Sequence, residues 1–237
     1  MVFYFFSVIG THLLMNMNPA PTTPGHMWRT ILANLIPTWY FGENGIKEYE
    51  KSFPFSEKFT HLLLESGYMH IQSTKPDTVA AALHDSPAGL AAYILEKFST
   101  WTNYNFRNMN DGGLTKKFTM DELLTNIMIY WTSGNIASSQ RFYKENIHQF
   151  MDFNSLFIPG YSGSVDTPYE LARAPRKLIE PMYENLIHYT EMPRGGHFFA
   201  FEEPQLCSDD IRLFTRRVFE ILSEKEVNNP KYQKDEM

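Results

Sequence analysis

The part of the sequence that follows Asn146 constrains the fold more than any other. Leu156 to Pro159 and Leu186 to Met192 are short apolar runs, as buried strands usually are, and a proline-interrupted helical pattern from Pro168 to Tyr183 separates them. A longer helical pattern, from Asp209 to Leu222, follows with its apolar residues on one face. Because strand and helix alternate here, the sequence predicts parallel α/β structure.

A histidine with two glycines before it follows the second predicted strand. Gly195 and Gly196 directly precede His197, and two adjacent glycines let the backbone turn tightly. Open α/β sheets carry their chemistry beyond the carboxyl ends of the strands, so His197 is a candidate general base. The alternative is a hydrogen-bonded histidine of the core. The residues alone leave both interpretations open.

Composition excludes several classes of function. The net charge is −6 and the sequence has no cluster of Lys and Arg, which argues against a nucleic-acid partner. A single cysteine, Cys207, excludes an intrachain disulfide and a cysteine-cluster metal site. The sequence shows neither a glycine-rich phosphate loop nor a His-x-x-x-His metal pair.

The first half of the chain divides into a short apolar start and a long helical region. Val2 to Ile9 is apolar, but it is too short to cross a bilayer and no positive charge precedes it, so we expect a buried strand or helix end. Asn18 to Gly25 is a proline-rich loop. From Trp28 to Asn146 the pattern is helical, which predicts an all-helical insertion.

Local signals mark some helix ends within that insertion. A helix from Glu57 to Ser66 is predicted to end at Gly67. Another is predicted to begin close to Pro87, a residue favoured in the first turn. Thr119 and Glu122 have the spacing of a capping box and predict the start of a long helix.

Four stretches resemble the microsomal-type epoxide hydrolases, a family that includes the insect juvenile hormone enzymes. The stretches are Ser66 to Gln72, Asp85 to Phe98, Ser139 to Asn146 and Arg194 to Pro204. The resemblance implies a partial α/β-hydrolase fold with an all-helical cap. It divides the chain into residues 1–27, a remnant of the α/β core, 28–146, the cap, and 147–237, the C-terminal part of the core.

The resemblance also implies a reaction and its residues. In that family an aspartate attacks an epoxide carbon, two cap tyrosines bind and protonate the oxygen, and a histidine with an acidic partner activates water. By resemblance the tyrosines are Tyr68 and Tyr143, the base is His197 and the acid is Glu170. A neutral phenol can donate a hydrogen bond to a developing alkoxide, and Glu170 would fix the tautomer of the imidazole. The product is a vicinal diol, and no metal or organic cofactor is needed.

One departure from the family pattern is large. The family's nucleophile lies in a Gly-Gly-Asp-Trp-Gly segment and its oxyanion segment reads His-Gly-x-Pro, and this sequence contains neither. We therefore expect the chain to begin after the nucleophile, to be inactive alone and to be incompletely stable. If it were active alone, Asp152 or Asp166 would have to replace the nucleophile. The alternatives are a non-catalytic fragment that binds an apolar ligand or a partner chain, and an esterase that uses Ser162.

The resemblance bears on partners and location as well. It implies a small apolar epoxide and water as substrates, and association with the endoplasmic reticulum membrane through a segment that this sequence does not contain. It does not distinguish terpenoid hormones, fatty-acid epoxides and xenobiotics.

Overall fold

The computed structural model describes residues 8–15, 24–43, 60–61, 63–151, 157–171 and 173–227. The strands are β1 (Gly10–Leu14), β2 (Ile158–Asp166) and β3 (Tyr183–Glu191). The α-helices are α1 (Pro24–Leu35), α2 (Pro37–Phe41), α3 (Gly67–Thr74), α4 (Pro76–Asp85), α5 (Pro87–Thr100), α6 (Met120–Ser133), α7 (Ile136–Met151), α8 (Arg176–Ile179), α9 (Phe199–Glu202) and α10 (Pro204–Val227). Short 3₁₀ turns cover Tyr104–Asn108, Leu114–Lys116 and Glu180–Met182.

The three strands form one parallel sheet in the order β1-β2-β3. The predicted α/β structure is therefore confirmed, but the predicted bounds of its first strand are wrong, since β2 begins at Ile158 and continues to Asp166. The second half of β2 is buried although it is rich in small residues, which the apolar pattern did not register. The helical pattern predicted from Pro168 to Tyr183 is largely wrong too, because α8 is only 4 residues long.

The small residues of the sheet make room for helix α10. A Cβ atom on Gly163 would lie 2.8 Å from the Phe214 ring and 3.0 Å from the His12 ring. A Cβ atom on Gly10 would lie 3.0 Å from the same phenylalanine. The ring of Phe214 therefore occupies the groove that the two glycines leave, and Val218 packs beside it.

A buried carboxylate joins α10 to two strands. Asp210 accepts hydrogen bonds from Nε2 of His12 on β1 at 2.7 Å and from Nε2 of His188 on β3 at 2.8 Å. Ligand atoms on a tetrahedral zinc with bonds of about 2.1 Å would be about 3.4 Å apart, so the observed distances are those of hydrogen bonds. Burial raises the pKa of Asp210, but the bonds from His12, Thr190 and His188 outweigh it and hold that pKa at about 2.

Helices α1 to α7 form the helical region, as the sequence predicted. The capping box is present, since Thr119 and Glu122 bond to each other's backbone N–H groups. The helix predicted to stop at Gly67 does so to within a residue, since residues 63–65 are helical and residue 66 is not. Gly67 itself begins the next helix, α3, instead of serving as a C-terminal cap.

The structure leaves two of the expectations wholly or partly untested. Residues 2–7 of the apolar segment from Val2 to Ile9 lie outside the described residues, whereas Val8 and Ile9 are exposed, so the burial expected for those two is wrong. The division at residues 27 and 146 remains untested, and helices α1 and α7 cross those two positions. Among the described helices, none combines the length and the hydropathy that crossing a membrane requires.

Candidate active site

The loop after β3 places His197 beyond the carboxyl end of the sheet, as predicted. Gly195 has a φ of 110°, a conformation that other residues rarely adopt. Gly196 approaches the helical region so closely that a Cβ atom there would lie 2.3 Å from the carbonyl oxygen of Trp101. The same carbonyl accepts the backbone N–H of His197 at 2.9 Å. Both glycines are therefore required by the path of this loop.

One buried carboxylate accepts hydrogen bonds from the backbone N–H groups on either side of the histidine. Glu202 accepts the N–H groups of Gly196 at 2.8 Å and Phe198 at 3.0 Å. Burial raises the pKa of Glu202 to about 7, although those two hydrogen bonds oppose the shift. Three consecutive N–H groups of the loop thus have partners, which holds its backbone in one conformation.

His197 and Glu170 form the hydrogen-bonded pair that the family resemblance implied. Nδ1 of His197 donates to Oε1 of Glu170 at 2.7 Å, and the same oxygen accepts the N–H of Leu171 at 2.8 Å. The carboxylate is buried, whereas 26% of the histidine side chain is exposed. With its proton on Nδ1, the imidazole leaves Nε2 free to accept a proton from water.

Tyr68 and Tyr143 come together from two helices of the helical region. Tyr68 lies in the first turn of α3 and Tyr143 in the middle of α7, and their rings meet edge to face with centroids 5.7 Å apart. Burial raises the pKa of Tyr68, and the neighbouring Tyr143 raises it further. Burial also raises the pKa of Tyr143, which the hydrogen bond with Tyr68 partly offsets. Both phenols are therefore neutral donors at physiological pH.

Aromatic rings connect the helical region to the histidine loop. Trp101 lies between the two pairs, with its ring centroid 5.1 Å from that of Tyr68 and 4.8 Å from that of His197. Phe98 of α5 stacks on Phe198 at 4.1 Å with 4° between the ring planes. The structure thus brings all four predicted site residues to one junction between the helical region and the sheet.

Individual proteins match this chain, although no protein-family model does. Epoxide hydrolase 1 of Sus scrofa is 56% identical over 173 residues, which cover 71% of this chain and 38% of that protein. Juvenile hormone epoxide hydrolase 2 of Ctenocephalides felis is 44% identical over 206 residues, 85% of this chain and 43% of that protein. The chain belongs to the epoxide hydrolase family. The resemblance inferred from four stretches of sequence is therefore confirmed.

The fold agrees with this membership. The crystal structure of juvenile hormone epoxide hydrolase from the silkworm Bombyx mori matches with a TM-score of 0.80 and 36% identity, over 92% of this chain and 51% of that one. The three-stranded parallel sheet with its helical region is thus a partial α/β-hydrolase fold. The chain spans about half the length of the epoxide hydrolases it matches, or less.

Within this epoxide hydrolase fold, two residues considered as alternative nucleophiles lie in unsuitable places. Ser162 is fully buried inside β2, where a substrate cannot reach its hydroxyl. Asp166 is held by Nε and Nη2 of Arg173 at 2.9 and 2.5 Å, so its carboxylate is already committed. Asp152 lies outside the described residues.

Sequence reasoning missed three residues of the site. Trp101 and Glu202 contact the histidine loop, and the Tyr104 hydroxyl donates to the backbone oxygen of Glu170 at 2.7 Å. Trp101 contacts the loop through its carbonyl oxygen and its ring, and the Tyr104 hydroxyl bonds to a backbone oxygen, so neither residue forms a motif that a sequence could show. Glu202 lies within the stretch from Arg194 to Pro204 that carried the family resemblance, which was the one available indication.

Proposed function

We propose that this chain supplies the epoxide-binding and water-activating parts of an epoxide hydrolase, whose reaction converts an epoxide to a vicinal diol through an aspartyl ester. The observation that supports this most is the meeting of two pairs at one junction: two neutral tyrosine hydroxyls and a histidine with a buried carboxylate partner. Trp101 contacts one member of each pair.

The two pairs suit the two halves of such a reaction. When a carboxylate opens the epoxide ring, negative charge grows on the oxygen, and donors already placed at that oxygen stabilise the transition state. Tyr68 and Tyr143 are those donors in the proposal. Water must then attack the ester, and Nε2 of His197 takes the water's proton while Glu170 stabilises the resulting imidazolium. These steps need no metal or organic cofactor.

The nucleophilic aspartate belongs to the proposal but not to these 237 residues. No Gly-Gly-Asp-Trp-Gly segment occurs among them, and Asp166 is bound to Arg173. The proposal is therefore that the 237-residue chain alone does not form diol, because no ester is made for the activated water to attack. The substrate is proposed to be an apolar epoxide, and membrane association at the endoplasmic reticulum is proposed by likeness to the family.

The test uses a chimera in which the Bombyx mori juvenile hormone epoxide hydrolase provides the nucleophile half. With styrene oxide as substrate, His197→Gln should accumulate a covalent ester, visible by intact-mass spectrometry, because alkylation proceeds and hydrolysis does not. His84→Gln, at an exposed histidine of α4, is the matched control and should turn over normally.

The tyrosines are tested in the same chimera. Tyr68→Phe and Tyr143→Phe should each slow single-turnover alkylation by about 10²–10³, the usual effect of removing one donor from a developing oxyanion. Parent-like alkylation in the double variant, or parent-like diol formation by His197→Gln without an adduct, would contradict the assignment.

A further inference from the structure

We propose that Trp101 is a positioning residue, held by Glu65, that fixes the imidazole of His197 relative to Tyr68. The inference rests on the proposed function for its purpose, but not for its geometry. Neither residue belongs to the catalytic set described above. Both lie in the helical region, so the proposal assigns to that region the alignment of a base that the sheet carries.

Trp101 contacts the histidine at two independent points. Its carbonyl oxygen accepts the backbone N–H of His197 at 2.9 Å, and its indole meets the imidazole edge to face, at 80° and 4.8 Å between centroids. The first contact fixes the backbone of the histidine and the second restricts rotation of its ring. A third constraint is the bond from Nδ1 to Glu170. Together they leave the imidazole one orientation.

The indole in turn is fixed by a buried carboxylate. Nε1 of Trp101 donates to Oε2 of Glu65 at 3.0 Å, and Oε1 of Glu65 accepts from Arg107 at 2.8 Å. Nζ of Lys97 lies 4.0 Å from Oε2 and 5.2 Å from the centroids of both the Trp101 and Tyr68 rings. A carboxylate that is only 4% exposed must keep its partners, so Glu65 has little freedom to move.

The same indole touches the epoxide-binding side of the site. Its centroid lies 5.1 Å from that of Tyr68, at 64°. Tyr68 is the second residue of α3, and Glu65 ends the helical segment that precedes this helix. The indole's hydrogen-bond acceptor and the phenol on its other side therefore lie close together in the chain, on either side of the break at Ser66. Because Glu65 holds the indole and the indole contacts both other rings, the phenol and the imidazole keep their positions relative to each other.

This arrangement predicts a spectroscopic property of His197. A free neutral imidazole can carry its proton on either nitrogen, and the bond to Glu170 selects Nδ1 only while the ring stays oriented. If the Trp101 ring supplies that orientation, removing the ring should make the His197 imidazole less selective for the Nδ1–H tautomer. Simple packing of a core tryptophan would change stability without changing the tautomer.

The experiment is ¹⁵N NMR of the same chimera with labelled histidine, because the 237-residue chain alone is expected to be incompletely stable. The spectra are recorded at pH 9, well above the ordinary imidazole pKa of about 6.5. The His197 signals are identified by their loss in His197→Gln. We expect the Nδ1–H form to dominate in the parent chimera, and Trp101→Leu to lower the ratio of Nδ1–H to Nε2–H by about fivefold, the equivalent of one net hydrogen bond. Trp131→Leu, at a half-exposed tryptophan of α6, should leave the ratio unchanged.

A second pair of variants does not touch the indole. Glu65→Leu removes its acceptor and should lower the same ratio, whereas Glu65→Gln keeps an acceptor oxygen and should restore it. The ring signals of His12 and His188, buried between the sheet and α10, report in the same spectra whether the fold is intact. If Trp101→Leu disturbs those signals, the comparison of Glu65→Leu with Glu65→Gln tests the positioning role instead.

The outcomes separate the two proposals. An unchanged tautomer ratio in folded Trp101→Leu and Glu65→Leu would overturn the positioning role and leave the proposed function intact. A parent chimera without a dominant Nδ1–H form would instead contradict the Glu170–His197 pair, and with it the proposed function.

Discussion

Gly196 is the residue at which the histidine loop and the helical region come closest. A methyl group there would lie 2.3 Å from the Trp101 oxygen and 2.9 Å from the Thr102 oxygen. Both are backbone atoms, so no side-chain rotation can relieve the contact, and the loop has to move away from the helical region. The bond from the His197 N–H to Trp101 would then be lost.

The corresponding prediction is that Gly196→Ala destabilises the chain by about 1–3 kcal/mol, the usual range for overpacking. Urea unfolding followed by circular dichroism measures this. Gly67→Ala is the matched control, because nothing lies within 4 Å of a Cβ atom there and alanine favours the helix. Equal stability of Gly196→Ala and the parent chain would refute the close approach.

At the residue scale, the sequence was informative where chemistry depends on residue type. The Gly-Gly-His pattern and the family resemblance identified His197, Glu170 and the two tyrosines, which the structure brings together. Trp101 was not predicted because half of its contribution is a carbonyl oxygen, a group that every residue possesses. The catalytic roles of His197, Glu170 and the two tyrosines remain proposals.

Helix α10 is attached to the sheet by Asp210 and its two histidines, and this attachment depends on pH. The folded pKa of Asp210 lies at about 2, below its ordinary 3.8, so its ionised form stabilises the native state. That contribution is complete above pH 4 and is lost as the pH falls through 2.

We therefore expect Asp210→Asn to be less stable than the parent chain at pH 6, and the difference to shrink as the pH falls from 4 towards 2. Denaturant unfolding across that range measures the difference. Asp209→Asn changes an exposed neighbour on the same helix and should have a small effect that varies little with pH. If the stability difference between Asp210→Asn and the parent chain grew as the pH fell, the predicted pH dependence would be wrong.

At the scale of elements, helices with clear end signals were predicted well and β2 was not. Pro87 begins α5 and Thr119 caps α6 because proline geometry and capping are local effects. The burial of Gly163 in β2 is a tertiary effect, caused by a phenylalanine about 50 residues later in the chain. No pattern within the strand reports it.

At the scale of the whole molecule, the free edge of β1 among the described strands is where we expect copies of the chain to interact. Among the described strands, β1 pairs only with β2, and Val8 and Ile9 just before it are exposed. A strand edge beside exposed apolar residues favours pairing with another chain.

The 237-residue chain should therefore self-associate as its concentration rises, which sedimentation velocity would detect. Ile9→Lys should shift it towards monomer, because a charge beside the strand edge opposes pairing. Leu124→Lys, at an exposed leucine of α6, should not. If Leu124→Lys shifted the chain towards monomer and Ile9→Lys did not, the contact between copies would lie on the helical region instead.

The stacked rings of Phe98 and Phe198 also limit how the helical region can move relative to the histidine loop. They join the helical region to the residue next to His197, beside the backbone bond to Trp101. A movement of the helical region at this junction would therefore carry the histidine loop with it.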